Sequence, residues 1–139
     1  MLFRSNEKGS FVGAIHCGWR GLSEGIILET LKKIKTNCED VVAWIGPGIS
    51  QKFFETERDV YDLFNKKYNF LAKHFMYKKN KFYVDLIGIT VSLLKYYGVQ
   101  KIHGNSISQN YCTFSDDFLF SHRQNKTPYR LISMAWINA

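Results

Sequence analysis

The sequence predicts an α/β (α+β) domain built around a mixed sheet. Three observations predict it. Short, largely apolar runs at 11–16, 41–45 and 81–84 read as strands, and amphipathic stretches at 22–36, 57–67 and 86–97 read as helices. Glycine or proline punctuates several of the switches between them. Strands that alternate with helices point to an α/β or α+β domain with such a mixed sheet. The length of 139 residues fits one domain, 1–139, with enough surface to bury a core without disulfides or structural metal.

Each element has its own reason. Phe-Val-Gly-Ala-Ile-His at 11–16 is short and mostly apolar, bounded by Gly9 and Gly18. A helix is expected over 22–36, because Leu22, Ile26, Leu31 and Ile34 form a stripe while Glu24, Glu29, Lys32, Lys33 and Lys35 face water. Its acids come early and its bases late, as the helix dipole favours. Val41–Ile45 is an unbroken apolar run that suggests burial on both faces, ended by Gly46-Pro47-Gly48. The stretch 57–67 carries Val60, Leu63 and Phe64 on or near one face. The stretch 69–80 is aromatic and basic and shows no period that assigns it. After a short strand at 81–84, Asp85 stands in the N-cap position of a helix marked by Leu86, Ile89, Leu93, Leu94 and Tyr97, and Gly98 ends it. Further strands are expected at 99–106, 118–121 and 131–137.

Composition narrows the function. Hydrophobic residues make up 45%, which excludes wholesale disorder, yet no apolar run approaches the ~20 residues of a membrane helix. Met1-Leu2-Phe3 runs directly into Arg4 with no signal-peptide core, so a cytoplasmic location is expected. Three cysteines without repeated spacing agree with a reducing compartment. The net charge of +7 is spread along the chain in separate lysine groups. That spread reads as solvated faces, and neither a nucleic-acid nor a membrane partner is expected.

The segment most able to carry chemistry is His16-Cys17-Gly18-Trp19-Arg20-Gly21. It lies where a strand gives way to a helix, the usual place for ligands in α/β sheets. Its glycines allow close backbone approach, the helix start attracts anions, and Arg20 can fork onto a phosphate or carboxylate. A tight structural turn around a core tryptophan explains the same residues. No Gly-Lys-Ser/Thr follows, so nucleotide hydrolysis is not supported. As a metal ligand His16 needs companions, and strand alternation points Cys17 to the opposite face. Cys112 and His122 are distant substitute candidates. Gly46-Pro47-Gly48-Ile49 is either a second pocket-lining loop or a plain strand exit. Asp85 reads as a helix cap, while His74 and His103 have no context that suggests chemistry.

These segments also occur in a telling order. Ile15-His16-Cys17-Gly18-Trp19-Arg20-Gly21-Leu22 with Gly25, then Ala43-Trp44-Ile45-Gly46-Pro47-Gly48-Ile49, Phe54-Glu55, Tyr83-Val84-Asp85-Leu86, Gly98-Val99, Cys112-Thr113 and Phe120-Ser121-His122-Arg123 span nearly the whole chain. In that order they resemble the YfiH-like family, also called the laccase-domain or polyphenol oxidoreductase family, of which some members are described as purine nucleoside phosphorylases. The resemblance implies a multilayer α/β fold similar to the catalytic domain of cytotoxic necrotizing factor. It implies phosphorolysis of adenosine, inosine and methylthioadenosine, adenosine deamination, and zinc held by two histidines and a cysteine; older descriptions give copper and phenol oxidation. Carried onto this chain, His16 becomes the metal ligand and a catalytic residue. Arg20 becomes the catalytic anion holder. Gly18, Trp19, Gly21, Gly46, Pro47 and Arg123 become substrate-binding, with a purine nucleoside and phosphate as partners.

This sequence also departs from the family pattern. The family's Gln-Val-His-Gly histidine and Ala-Asp-Cys cysteine lie upstream of the matching segment, and Met1-Leu2-Phe3 aligns just after that cysteine. The expectation is therefore an N-terminally truncated chain, with zinc (or Cu2+) weakly held or absent and activity impaired. Smaller departures are Cys17 in place of alanine and Lys126-Thr127-Pro128-Tyr129-Arg130 in place of a Thr-Gly-Arg turn. Two alternatives stand beside an impaired phosphorylase/deaminase. One is a non-catalytic remnant or subunit that folds with an N-terminal partner chain or as a homo-oligomer, because missing strands leave an apolar edge near 11–16. The other is a copper-dependent polyphenol oxidase, for which one histidine is too few.

Overall fold

A computed structural model describes residues 9–105, 111–121, 124, 126, 128–129 and 131–137, together with the backbone of 2–6. The chain runs β1 (Leu2–Asn6), β2 (Val12–Ile15), α1 (Trp19–Glu24), α2 (Ile26–Lys33), β3 (Val41–Ile45), β4 (Glu55–Thr56), α3 (Arg58–Lys67), β5 (Phe75–Lys78), β6 (Lys81–Val84), α4 (Leu86–Tyr96) and β7 (Lys101–Gly104). Single 3-10 segments occupy Cys38–Asp40, Gln51–Phe53 and Asn69–His74.

The mixed α/β class is observed, but the strands form two sheets where one was expected. The larger has the order β2-β1-β3-β7 and the smaller β4-β6-β5. In the larger sheet β1 is antiparallel to both β2 and β3, and β3 is parallel to β7. It follows that β2, β3 and β7 all run in one direction and deliver their carboxyl ends to the same edge. That edge is where the candidate site forms. The small sheet is wholly antiparallel.

Local sequence explains most elements. Asp85 caps α4 by accepting the Gly88 N–H at 2.9 Å. Gly98 follows the helix at φ 91°, and Val99 N–H returns to the Leu94 carbonyl at 2.9 Å. The unassigned stretch 69–80 resolves into a 3-10 turn and the first arm of a hairpin. Lys79 and Asn80 hold φ of 51° and 62° at its tip, the backbone a two-residue hairpin turn requires. Tyr61 of α3 stacks on Phe82 of β6 at 5.0 Å and meets Phe75 of β5 edge-on at 5.3 Å, which ties the hairpin to the helix.

Four expectations change. The helix expected over 22–36 is two helices, α1 and α2, broken at Gly25 with φ 100°. The expected stripe hid the break because Leu22 and Leu31 reach one core from both helices; between them Ile27 is buried there, with Ile26 only partly so. Lys67 Nζ donates to the Ser23 and Glu24 carbonyls at 3.1 and 3.2 Å, satisfying groups the break exposes. Secondly, β3 buries one face, not two: Val41, Ala43 and Ile45 are buried while Trp44 is 42% exposed. Thirdly, β1 was not anticipated, since Leu-Phe-Arg-Ser-Asn has little strand signal; its place comes from neighbours pairing on both sides. Lastly, 118–119 lie in a turn and bend, and neither 118–121 nor 131–137 enters a ladder among the described residues.

The core gathers Leu22, Ile27 and Leu31 with Val41, Ala43 and Ile45 of β3, Val60 and Phe64 of α3, Leu71, Val84 and Val99. Ile89, Leu93 and Leu94 of α4, with Phe54 and Tyr68, complete it. Burying such side chains supplies about 1.5–3 kcal/mol each. Among the described residues no helix is long and apolar enough to cross a membrane.

Candidate functional site

At the shared carboxyl edge of β2 and β3 lies a cavity of about 500 Å³. Its first wall is the turn after β2, from His16 to Gly21, and its second is the exit of β3, from Ile45 to Ile49. Phe54 and the first turns of α4, through Leu86, Ile87 and Thr90, close the apolar back. The position follows from topology, because side chains and turn backbones collect where parallel strands end.

His16 is exposed to the cavity. Its ring folds over Gly18: a Cβ on that glycine would stand 2.8 Å from the imidazole Nε2. Gly18 is therefore the residue that lets the imidazole lie across the turn. Arg20 is also exposed, with its guanidinium carbon 4.6 Å from the centre of the Trp19 ring. Stacking of this kind holds the fork at the cavity mouth while leaving its N–H donors for an anion. A helix-dipole contribution was expected here as well, but α1 has only six residues and no side-chain cap, so Arg20 is the main positive feature.

The β3 exit loop is fixed from behind. Asn105, 2% exposed, donates its backbone N–H to the Ile45 carbonyl at 2.7 Å. Its side chain exchanges two hydrogen bonds with Tyr111, Nδ2 donating to the carbonyl and Oδ1 accepting the N–H, each at 3.0 Å. Gly48 donates to the Tyr111 carbonyl and accepts from Thr113 N–H at 3.0 Å. The buried Cys112 sulfur accepts the backbone N–H and hydroxyl of Ser50 at 3.3 and 3.1 Å. Burial pushes its thiol up, but hydrogen bonds from Ser115 and Ser50 outweigh that and bring it down to about 7. Cys112, considered a substitute ligand, instead anchors the loop from outside the cavity lining. Gly104 also belongs to this clamp, since at φ 90° a Cβ there would collide with the Ile45 carbonyl.

The α4 wall is pinned by a second group. Asp85 Oδ2 lies 3.6 Å from His74 Nδ1, and His74 Nε2 is 2.7 Å from Ser92 Oγ. Burial pushes the Asp85 carboxyl up, yet the His74 ring and the Gly88 N–H together hold it below the ordinary carboxylate value. Gly88 leaves the space they fill, because a Cβ would strike both the Asp85 carboxylate and the His74 ring.

His16, Gly18, Trp19, Arg20, Gly21, Gly46 and Pro47 thus line one cavity. Arg123 and His122 lie outside the described residues. Cys17, expected to face away from His16, lines the same cavity because β2 ends at Ile15 and alternation stops there. Sequence reasoning missed Thr90 and Ile87, which a capped helix start opposite a glycine loop was able to signal. It also missed Asn105, a single polar residue at a strand end. Among the described residues no group of three His, Cys, Asp or Glu is placed to hold a metal ion. One imidazole and one thiol fall short of the three protein ligands zinc uses, so the described residues do not fit a zinc centre.

Comparison with known proteins gives the family. The family model described as multi-copper polyphenol oxidoreductase laccase matches residues 1–138. A purine nucleoside phosphorylase of Haemophilus influenzae is 33% identical over 136 residues, 95% of this chain and 54% of that protein. Purine nucleoside phosphorylase YfiH of Escherichia coli is 32% identical over 133 residues, 95% of this chain and 53% of that protein. The crystal structure of Neisseria meningitidis protein NMB0706 superposes with a TM-score of 0.81 at 32% identity, covering 89% of this chain and 50% of that one. The chain therefore spans about half the length of the relatives it matches. On sequence match and superposition alike, it belongs to the multi-copper polyphenol oxidoreductase laccase family, alongside proteins named purine nucleoside phosphorylases.

Proposed function

We propose that this cavity is the nucleoside- and phosphate-facing part of a purine nucleoside phosphorylase site. The observation that carries the reading is the convergence of His16, Arg20 and the Gly46–Pro47 loop on one cavity with apolar walls. The relatives' names supply the reaction class. In phosphorolysis a phosphate oxygen forms a bond to the ribose C1′ as the C1′–N9 bond breaks, and the purine leaves with a proton. Arg20 suits the phosphate, because a forked cation holds two of its oxygens and neutralises charge as the displacement proceeds. Trp19, Phe54, Leu86 and Ile87 suit the flat, largely apolar base. His16, beside the glycine turn, is within the same cavity to hydrogen-bond the ribose or the departing base.

Adenosine and inosine are the proposed substrates, with methylthioadenosine phosphorolysis and adenosine deamination as related activities. A cytoplasmic setting belongs to the same reading, and three cysteines without repeated spacing agree with it. Zinc enters no step here, since the described residues supply too few ligands; turnover by the 139-residue chain alone is accordingly expected to be impaired. Copper-dependent phenol oxidation requires several copper sites, and one cavity imidazole favours it less. Inosine and phosphate incubated with the purified chain test the reading. Weak release of hypoxanthine with ribose 1-phosphate, abolished in His16→Ala and Arg20→Ala, supports it. Nucleoside and phosphate that leave every cavity resonance unmoved at millimolar concentration would overturn it.

A further inference from the structure

The cavity holds polar side chains at two depths. His16 and Arg20 are exposed at its mouth, while the back is walled by Ile45, Ile49, Phe54, Leu86 and Ile87. Thr90 is the polar exception in that wall. It is 2% exposed and stands one turn after Leu86 and Ile87, so 86, 87 and 90 share one face of α4. Gly48 of the β3 exit lies against the same face, where a Cβ would be 3.9 Å from Ile87 Cδ1.

The Thr90 hydroxyl already has a use for its proton. Oγ1 donates to the Leu86 carbonyl at 2.7 Å, the bond a threonine makes to the residue four earlier in a helix. The oxygen keeps its acceptor lone pairs, and among the described residues nothing donates to them. A buried oxygen with unused acceptor capacity on a cavity wall is matched by a donor on whatever fills the cavity. The identity of that donor rests on the phosphorylase reading, which sets phosphate at Arg20, the ribose C1′ beside it and the base against the apolar back. An edge of the base then faces Thr90. Adenine carries an amino group at carbon 6, a donor. Hypoxanthine carries a carbonyl there, an acceptor that opposes the threonine oxygen unless the Leu86 bond is given up. We propose that Thr90 is a specificity-determining residue of this cavity, accepting a hydrogen bond from the 6-amino group of adenosine and favouring 6-amino over 6-oxo purine nucleosides.

Amide titrations of residues 16–21, 46–49 and 86–90 give the affinities of the 139-residue chain for adenosine, inosine and purine riboside, which has no group at carbon 6. Adenosine is expected to bind about fivefold more tightly than either of the others, as one neutral hydrogen bond allows. Thr90→Val keeps the shape and removes the hydroxyl, so the ratio of adenosine to purine riboside affinity is expected to fall to about one. Thr90→Ser keeps the hydroxyl and is expected to keep the ratio. A serine variant that loses the preference as valine does overturns the proposal, since packing would then set it. The same ratio in parent and Thr90→Val, with every nucleoside moving the cavity amides, overturns it while leaving the phosphorylase reading in place. So does a parent that favours inosine and loses that preference in Thr90→Val, because the hydroxyl would then be donating to the 6-oxo group. Cavity amides that respond to none of the three nucleosides remove the phosphorylase reading and this inference with it.

Discussion

The cavity edge and the 131–137 edge of the same sheet are built on opposite terms. At the cavity, the turns are held by contacts from behind: Asn105 and Cys112 at the β3 exit, His74 and Asp85 at the α4 start, while Gly18 makes room for the exposed His16 ring. At the other edge, Ile132, Met134 and Trp136 stand largely in water beside an open strand. The difference teaches that the residues able to touch a small ligand are preorganised within this half of the family domain. Ile132, Met134 and Trp136, by contrast, stay largely exposed among the described residues.

Substitutions break this comparison most strongly at the glycines. Gly104→Ala forces a side chain into left-handed backbone and against the Ile45 carbonyl, and Gly88→Ala drives one into Asp85 and His74. Each is expected to cost about 3 kcal/mol or more in urea unfolding. Ile132→Asp is expected to change the same measurement by less than about 0.5 kcal/mol, as a surface substitution does. Similar losses at both edges would erase the contrast.

Asn105→Ala sits next in size. It leaves the Tyr111 N–H without its partner and the Tyr111 carbonyl with Gly48 alone, in a part-buried place, at an expected cost of about 1 kcal/mol. Chemical denaturation measures it, and the Gly46–Pro47 loop is expected to lose hydrogen-exchange protection with it.

Acid sharpens the picture at α4. The Asp85 carboxyl titrates lower in the folded chain than its ordinary value, so between those two values the unfolded chain binds more protons and stability rises with pH. Its contribution is full above the ordinary carboxylate pKa near 4 and is lost as pH falls through the depressed folded value. Asp85→Asn is expected to flatten the acid limb of a stability–pH curve below about pH 4. Cys112 has the same sign, with a folded thiol at about 7, so loop anchoring strengthens as pH rises from neutrality toward 9. A Cys112→Ser chain is expected to lose that rise. Smallest in stability is Arg20→Ala, expected within about 0.5 kcal/mol of the parent while removing about tenfold in phosphate affinity, read by thermal shift against phosphate.

Much of this was legible in the sequence because it rests on local chemistry. Asp85 and Gly98 bracket α4 through capping, and Val41–Ile45 declares a strand by composition. The turn from His16 to Gly21 and the Gly46–Pro47 loop announced themselves as strand exits, and the common direction of β2 and β3, both antiparallel to β1, brings them together. What stayed hidden depends on tertiary partners. β1 is a strand because β2 and β3 flank it, and the break at Gly25 is masked by residues that serve one core from two helices. Asn105 reaches back to Ile45 and Gly46, and His74 to Gln51 and Asp85, contacts that no local spacing reveals. The strand expected at 131–137 has the right residues and no ladder partner among those described.

The most direct measurement is a backbone amide titration of the 139-residue chain with inosine, without and with inorganic phosphate. A nucleoside cavity between β2, β3 and α4 predicts shifts clustered at 16–21, 46–49 and 86–90, with the phosphate-dependent part lost in Arg20→Ala. Shifts clustered at another face, or none up to millimolar ligand, would contradict it.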